Sequence, residues 1–443
     1  MNQVYKIIWN VSLGVWVAVS EAAKAKTKSK TVGAVSLLTS IVVFLPGAFA
    51  QVGTTGGTGG GTAISSCTGN NQANSGTDPS NIVIGCSATS GTATRSVAIG
   101  DNATTSGANS QSVAVGSVAA ARGDQSVAVG NNVNANGNSS IAIGGDDIDR
   151  VRNDATASKS YQTITGSNLP TGYPETTATG GGAVVVGVTA QAKGSFSSAF
   201  GMAANAIGDA SVALGTTSVA NGQGALAIGA VSAARDNGSI ALGINTNAKG
   251  LNSTAIGSGS SSLTGSQTTG DYATAIGSGS NAVAGATAIG SGAKAQTIGG
   301  VAIGSNSISS IDSGVSGYYS VTGQNSSDTT GVWKSTNAAV SIGNGSTLTR
   351  QITGLAAGQQ DTDAVNVAQL KSTRTIATNN LKTAIGTSAS TDTNGNLTIS
   401  NIAGTGKSNL NDAIATVKQS ADDQFAKLKT EGNQITQGNN SNT

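Results

Sequence analysis

Apolar and polar positions alternate along most of the chain in a five-residue phrase that keeps returning: S-V-A-I-G at Ser96–Gly100, S-V-A-V-G at Ser112–Gly116, S-I-A-L-G at Ser239–Gly243. Alternation with period two marks a short β-strand, with Val97 and Ile99 on one side and Ala98 on the other. The closing glycine recurs at Gly85, Gly100, Gly116, Gly130, Gly144, Gly187, Gly201, Gly215, Gly229, Gly243, Gly257, Gly277, Gly290, Gly304 and Gly343, which is 15 copies with a commonest spacing of 14 residues. Such self-similarity predicts a solenoid. A second alternating run follows each glycine, as in Ala119/Ala121, Val133/Ala135, Ala190/Ala192 and Ala204/Ala206, and another glycine often stands at the seventh position: Gly107, Gly123, Gly137, Gly194, Gly208, Gly222, Gly250. Each unit is therefore expected to be two short strands and two tight turns, with glycine supplying positive φ. A disordered Gly/Ser/Ala tract would not hold Val and Ile at fixed offsets from Gly.

One 14-residue coil encloses little space. The expectation is that Val97, Ile99 and their equivalents fill it, and that Ala135, in the second strand, faces the same interior. The central alanines Ala98, Ala114, Ala128 and Ala142 would then lie outside, where small side chains let neighbouring chains approach closely. Fifteen coils rising about 4.8 Å each would form a rod roughly 70 Å long.

Two interruptions break the beat, at 145–182 and 305–339. The mature chain has nine aromatics, and five fall here: Tyr161, Tyr173, Tyr318, Tyr319 and Trp333. Loops on a rigid scaffold commonly carry binding, and exposed aromatics are typical anchors. The tyrosines are accordingly candidate ligand contacts, with bracing of the solenoid the other reading; Trp333, near the end of the repeats, is expected to brace. Further on, Ile414, Ala421, Leu428 and Ile435 recur every seven residues and Val417 suits a d position, which predicts a coiled coil. Gln424 and Glu431 do not suit it, so the coil is short or polar. Turn residues at 390–409 interrupt the helical pattern.

Composition narrows the chemistry. Of 443 residues, 10% are charged and 3% aromatic, and there is no histidine. The usual general base and commonest metal ligand are missing, and no base is available to activate the many Ser and Thr. No catalytic residue, metal site or cofactor is expected. The net charge of +2 arises in residues 1–50, which hold five Lys and one Glu; the remainder has 18 basic and 20 acidic residues. A basic footprint for nucleic acid is absent. Asp146, Asp147 and Asp149 could approach a calcium ion, but their spacing does not match a regular calcium loop, and a solvated loop is the expectation. Arg122-Gly123-Asp124 spells a tripeptide that can present a cation and a carboxylate to an integrin; Gly123 is equally the repeat glycine of its coil. Cys67 and Cys86 are expected to form an intrachain disulfide, with free thiols or pairing between chains as the alternatives.

The N-terminus is a processing segment. Lys24–Lys30 is basic, Val32–Leu45 is an apolar run of 14 residues, short for a membrane anchor, and Ala48–Ala50 is a small-x-small site predicting cleavage between Ala50 and Gln51. The stretch ahead of it, with Trp9, Asn10 and Trp16 to Glu21, resembles the extended signal region of type V autotransporters of Gram-negative bacteria.

The repeats resemble the head of the trimeric autotransporter adhesins, the YadA-like family. R-Q-I-T-G-L-A-A-G-Q-Q-D-T-D-A-V-N-V-A-Q-L-K (Arg350–Lys371) resembles that family's neck, most specifically at Asp363, Ala364, Val365, Asn366, Val367, Gln369 and Leu370, and Gly331–Gly343 resembles the lead-in to it. The resemblance implies an all-β left-handed parallel β-roll head, homotrimeric, then a neck and a helical coiled-coil stalk. It implies this layout: 1–50 extended signal peptide, 51–80 Gly/Ser/Thr-rich segment, 81–343 head, 344–371 neck, and 372–443 stalk start with a connector at 390–409. It further implies export and display at the bacterial outer membrane, and attachment to host extracellular matrix proteins or cell-surface receptors, or to like heads on other cells. A non-adhesive structural spacer or fibre is the alternative. The family ends in four amphipathic strands forming a membrane barrel; this chain ends in Q-G-N-N-S-N-T, so a fragment or truncated product is expected.

Overall fold

The computed structural model describes residues 5–10, 15–20, 62–64, 73–107, 110–172, 174–259, 265–385, 389–392 and 397–440. Tyr5–Asn10 and Val15–Ser20 pair antiparallel, with Trp9 opposite Trp16. The cleavage site at Ala50 and Gln51, and the apolar run before it, lie outside the described residues.

The repeats form a parallel β-solenoid with two sheets. The first, of 16 strands, is built from the V-A-I-G phrases, and the second, of 13, from the shorter runs between them. Successive phrases stack in strict register: Ala98 on Ala114, Ala114 on Ala128, Ala128 on Ala142. One strand lies upstream of 81: Thr62–Ile64 pairs with Ile82–Ile84. The phrase T-A-I there has no closing glycine, which is why the beat alone does not reveal it.

The coil interior is the reverse of the sequence expectation. Ala98, Ala114, Ala128 and Ala142 are completely buried inside the coil, while Val97, Ile99 and their equivalents stand on the outer face of the first sheet and stay half-buried or exposed. Period two fixes that the two sets face apart; the bore decides which set goes inside. Two strands of two or three residues leave room for a column of methyl groups against another such column. Ala121, Ala135, Ala192 and Ala206 supply the facing column, all fully buried, so Ala135 lies where expected. Buried serines and threonines at the corners bond the carbonyl three residues back: Ser126 Oγ donates to Gly123 O at 2.7 Å, Ser253 Oγ to Gly250 O at 2.7 Å and Thr246 Oγ1 to Gly243 O at 2.8 Å. A hydroxyl thus costs little in this core, because its partner is local.

The two glycine ladders have different causes. Gly116 takes φ +132°, and a Cβ there would also lie 2.0 Å from the carbonyl oxygen of Gly130 in the next coil. Gly123 has no positive φ; it is glycine because a Cβ would lie 2.0 Å from Gly137 O. Close stacking of coils, rather than turn geometry, sets the second ladder from Gly123 onward; Gly107, at φ +112° with its nearest contact at 3.4 Å, differs. Several left-handed corner positions carry ordinary side chains instead, Val118 and Phe196 among them.

The first interruption folds into two helices, α1 (Asp149–Asn153) and α2 (Ala155–Thr165). Asp154 caps α2, its carboxylate accepting from Thr156 N at 2.8 Å and Ala157 N at 3.1 Å, and Gly166 ends it at φ +71°. Ile148 and Leu169 are its buried anchors. The second interruption carries a small hairpin, Tyr318–Tyr319 with Gln324–Asn325. Beyond the repeats come helix α3 (Val367–Ile385), a strand pair Ala389–Thr391 with Leu397–Ile399, and helix α4 (Leu410–Asn440).

Candidate functional site

The chemistry of this molecule lies in its faces. On the first sheet the third residue of each strand forms one continuous row: Ile84, Ile99, Val115, Val129, Ile143, Val186, Phe200, Leu214, Ile228, Leu242, Ile256, Ile276, Ile289 and Ile303. None is polar. Seven of them remain 36–45% exposed in the single chain. Parallel sheets are ordinarily covered on both faces, and an apolar row of this length marks an interaction surface.

The roll ends on Arg350. Its guanidinium donates to Ser307 Oγ at 2.9 Å, to Ser305 O at 2.7 Å and to Ile342 O. It sits over Gly304, where the next coil would otherwise stack. Such a cap satisfies carbonyls that a terminal coil leaves open.

The neck residues then start α3. Asn366 Oδ1 accepts from Gln369 N at 3.0 Å, and Gln369 Oε1 accepts from Asn366 N at 3.2 Å, a reciprocal capping box. Gln369 also clasps Gly358 through both its backbone groups, at 3.1 and 2.9 Å. Asp363 Oδ2 accepts from Gln360 N at 3.0 Å and Gln359 N at 2.9 Å, and these bonds hold its carboxyl below the usual range. Val365, Val367 and Leu370 are about two-thirds exposed in the single chain; Ala364 lies beside them without a hydrogen-bonding side chain. In α4, Ile414, Val417, Leu428 and Ile435 are exposed as well.

The candidate ligand residues do not converge. Tyr161 lies on α2, its hydroxyl 3.2 Å from Thr217 Oγ1 of the roll. A crevice of about 250 Å³ beside it is lined by Val151, Ile164, Leu169, Met202 and Ala230. The interruption therefore lies back along several coils, and Tyr161 braces it there. Tyr173 lies outside the described residues. Tyr319 packs edge-on against Trp333, centroids 5.3 Å apart, while Tyr318 is 67% exposed. Arg122 is drawn along the roll to Asn134 and Asn136, Gly123 is buried in the stack, and Asp124 is exposed at the corner. Asp146 accepts from Asn132 Nδ2 at 2.8 Å, Asp147 from Asp149 N at 2.7 Å, and Asp149 pairs with Arg152 at 2.6 Å. Cys86 is disulfide-bonded; Cys67, its expected partner, lies outside the described residues.

Residues 1–49 match the model of the extended signal peptide of type V secretion systems. Seven segments between 92 and 307 match the YadA head domain repeat, and 351–393 match the coiled stalk of trimeric autotransporter adhesins. Autotransporter adhesin BadA of Bartonella henselae is 55% identical over 75 residues, 17% of this chain and 2% of that protein. Trimeric autotransporter adhesin AtaA of Acinetobacter sp. (strain Tol 5) is 47% identical over 79 residues, 15% of this chain and 2% of that one. The matches thus span about 2% of the length of these curated relatives. The collagen-binding domain of Yersinia adhesin YadA aligns at 33% identity with a TM-score of 0.27, over 41% of this chain and 84% of that one. The protein belongs to the trimeric autotransporter adhesins. Its extended signal and its family place it among proteins exported and displayed at the outer-membrane surface.

Proposed function

We propose that this chain is the head, neck and first stalk segment of a homotrimeric bacterial adhesin, cleaved after Ala50, with the head ending near 343, the neck at 344–371 and the stalk beginning at 372. The observation that carries the reading is the 14-row apolar ladder of the first sheet. Three copies packed on this ladder remove it from water, continue into the exposed Val365, Val367 and Leu370 of the neck, and meet in α3 and α4 as a coiled coil. The outer surfaces then repeat three times around a rod and many times along it. Weak contacts with extracellular matrix or host cells sum through effective concentration. The role is attachment without catalysis; the chain has no histidine, the usual base for activating a hydroxyl.

The test uses the exported chain, residues 51–443. Sedimentation equilibrium is expected to give three times the chain mass, and the trimer is expected to bind immobilised matrix proteins or cultured cells saturably. A trimer that binds none of them favours the spacer reading; a monomer at micromolar concentration overturns the assembly.

A further inference from the structure

The second sheet has an outer face of a different character. Its outward positions are, by register, the row that runs through Thr104, Ala120, Asn134, Thr177 and Gln191, and the residue just after each strand. From Thr104 to Gln296 these two rows contain no aspartate, no glutamate and no aromatic residue. They carry five cations: Arg122, Lys193, Arg235, Lys249 and Lys294, all exposed. None of the five belongs to an ion pair among the described residues. Between them the rows are rich in amides, including Asn134, Gln191, Asn205, Asn247, Gln267 and Asn281.

The register places these cations along one face. Arg122 follows the second strand of the sheet, Lys193 the fifth, Arg235 the eighth and Lys249 the ninth, and Lys294 opens the twelfth. At about 4.8 Å per coil, three of the four steps are about 14 Å, the step from Arg235 to Lys249 is about 5 Å, and the charges span about 48 Å. The carboxylates of these coils lie at the corner beside the stripe: Asp209 accepts from Ser195 N at 2.8 Å, Asp271 from Leu251 N at 2.9 Å and Asp236 from Asn237 N at 2.7 Å, while Asp124 is exposed there. Glu175, bonded to Asn134 Nδ2, is the acid nearest the stripe. Net charge is blind to this sorting, which is why the near-neutral composition gives no hint of it.

We infer that this face binds a sulfated glycosaminoglycan, laid along the roll with its sulfates at the cations and its hydroxyls at the amides. The inference rests on the trimer reading, which turns the second sheet outward and displays three such stripes. A long linear polyanion suits a straight stripe of widely spaced charges. Nucleic acid suits it poorly: single strands need aromatic platforms that these rows lack.

The test is binding of the exported chain to immobilised heparin, with chemically desulfated heparin and duplex DNA as comparison probes. Heparin is expected to bind; desulfated heparin and DNA are expected to bind at least tenfold more weakly. With three to five cations engaged, affinity should fall roughly twenty- to a hundredfold between 50 and 200 mM salt, by analogy with counterion release from single strands. The variant R122Q/K193Q/R235Q/K249Q/K294Q should lose at least tenfold in heparin affinity and keep its trimeric mass. Removal of three stalk charges, K418Q/K427Q/K429Q, should change nothing. If heparin fails to bind, if the five-site variant binds as the parent does, or if DNA binds as well as heparin, the inference is wrong. A trimer without heparin binding overturns only this inference, whereas a monomer overturns the assembly reading.

Discussion

Replacing Leu214 and Leu242 together by Glu separates assembly from folding. Both residues sit on the apolar row of the first sheet, 44% and 39% exposed in one chain. Fully burying a leucine is worth about 1.5–3 kcal/mol, so covering the exposed remainder contributes about 0.6–1.2 kcal/mol per residue. Losing two such residues in three chains removes about 4–7 kcal/mol per trimer, some three to five powers of ten in the association constant. The carboxylates add like-charge repulsion and desolvation, in the same direction. Within one chain the same side chains already meet water, so the coil should survive. Ala213, next to Leu214 but completely buried, is the contrast: Ala213→Glu places a charge inside the bore and should abolish the β signal. The assay is sedimentation velocity on the exported chain at micromolar concentration, with circular dichroism and a thermal melt on the same samples. Leu214→Glu/Leu242→Glu should sediment as monomer with a β spectrum. If it remains fully trimeric and melts with the parent, the row faces solvent and the assembly argument fails.

Other consequences are quicker to check. Non-reducing digestion and mass spectrometry should yield a linked Cys67–Cys86 peptide from a single chain; two alkylatable thiols would contradict it. Asp124→Ala should leave integrin-dependent cell attachment unchanged, because Gly123 is buried in the stack and Arg122 is turned along the roll; a clear loss of attachment would show the tripeptide at work. Gln369→Ala removes the capping box and the clasp on Gly358, and should weaken the start of α3 by about 0.5–2 kcal/mol per chain, read as earlier melting of the stalk helices. Asp363 has a folded pKa below its unfolded value, so its contribution is complete above the ordinary carboxylate range and disappears as pH falls through the folded pKa. Asp363→Asn should therefore flatten the acid limb of neck melting between about pH 5 and pH 2, and an unchanged limb would remove Asp363 from the account.

What the sequence discloses here follows from what repetition can encode. The beat of Gly100, Gly116 and Gly130 is enough for a solenoid, its strands and their register, because every coil must meet its neighbour at the same offset. The neck is legible through its resemblance to a known family at Asp363–Leu370, whereas the capping box of Asn366 and Gln369 emerges only in the structure. The side facing inward is not legible from alternation. In V-A-I both faces are apolar, and only the width of the bore assigns the alanine to the interior. That width is set by two strands closing on each other, a property of the coil and of no single phrase. Arg350 is hidden for a similar reason: nothing local distinguishes it until the roll ends and its last carbonyls need a donor. The helices α1 and α2 carry visible stops in Asp154 and Gly166 but little apolar periodicity, because their anchors, Ile148 and Leu169, flank them.

The same reasoning explains why the charged stripe of the second sheet cannot be read linearly. Arg122 and Lys193 are 71 residues apart in sequence and three coils apart in the stack. The 145–182 interruption lies between them and is extruded sideways, so the ladder closes over it as Asn134 meets Thr177. A solenoid converts distant, unremarkable lysines and arginines into a line with fixed spacing. Its tolerance for insertions means that spacing in sequence and spacing in space part company at each interruption. Selection on the line can then act one coil at a time. Each outward position is free to change without disturbing the methyl column behind it, and the blandness of the core is what gives the surface this freedom.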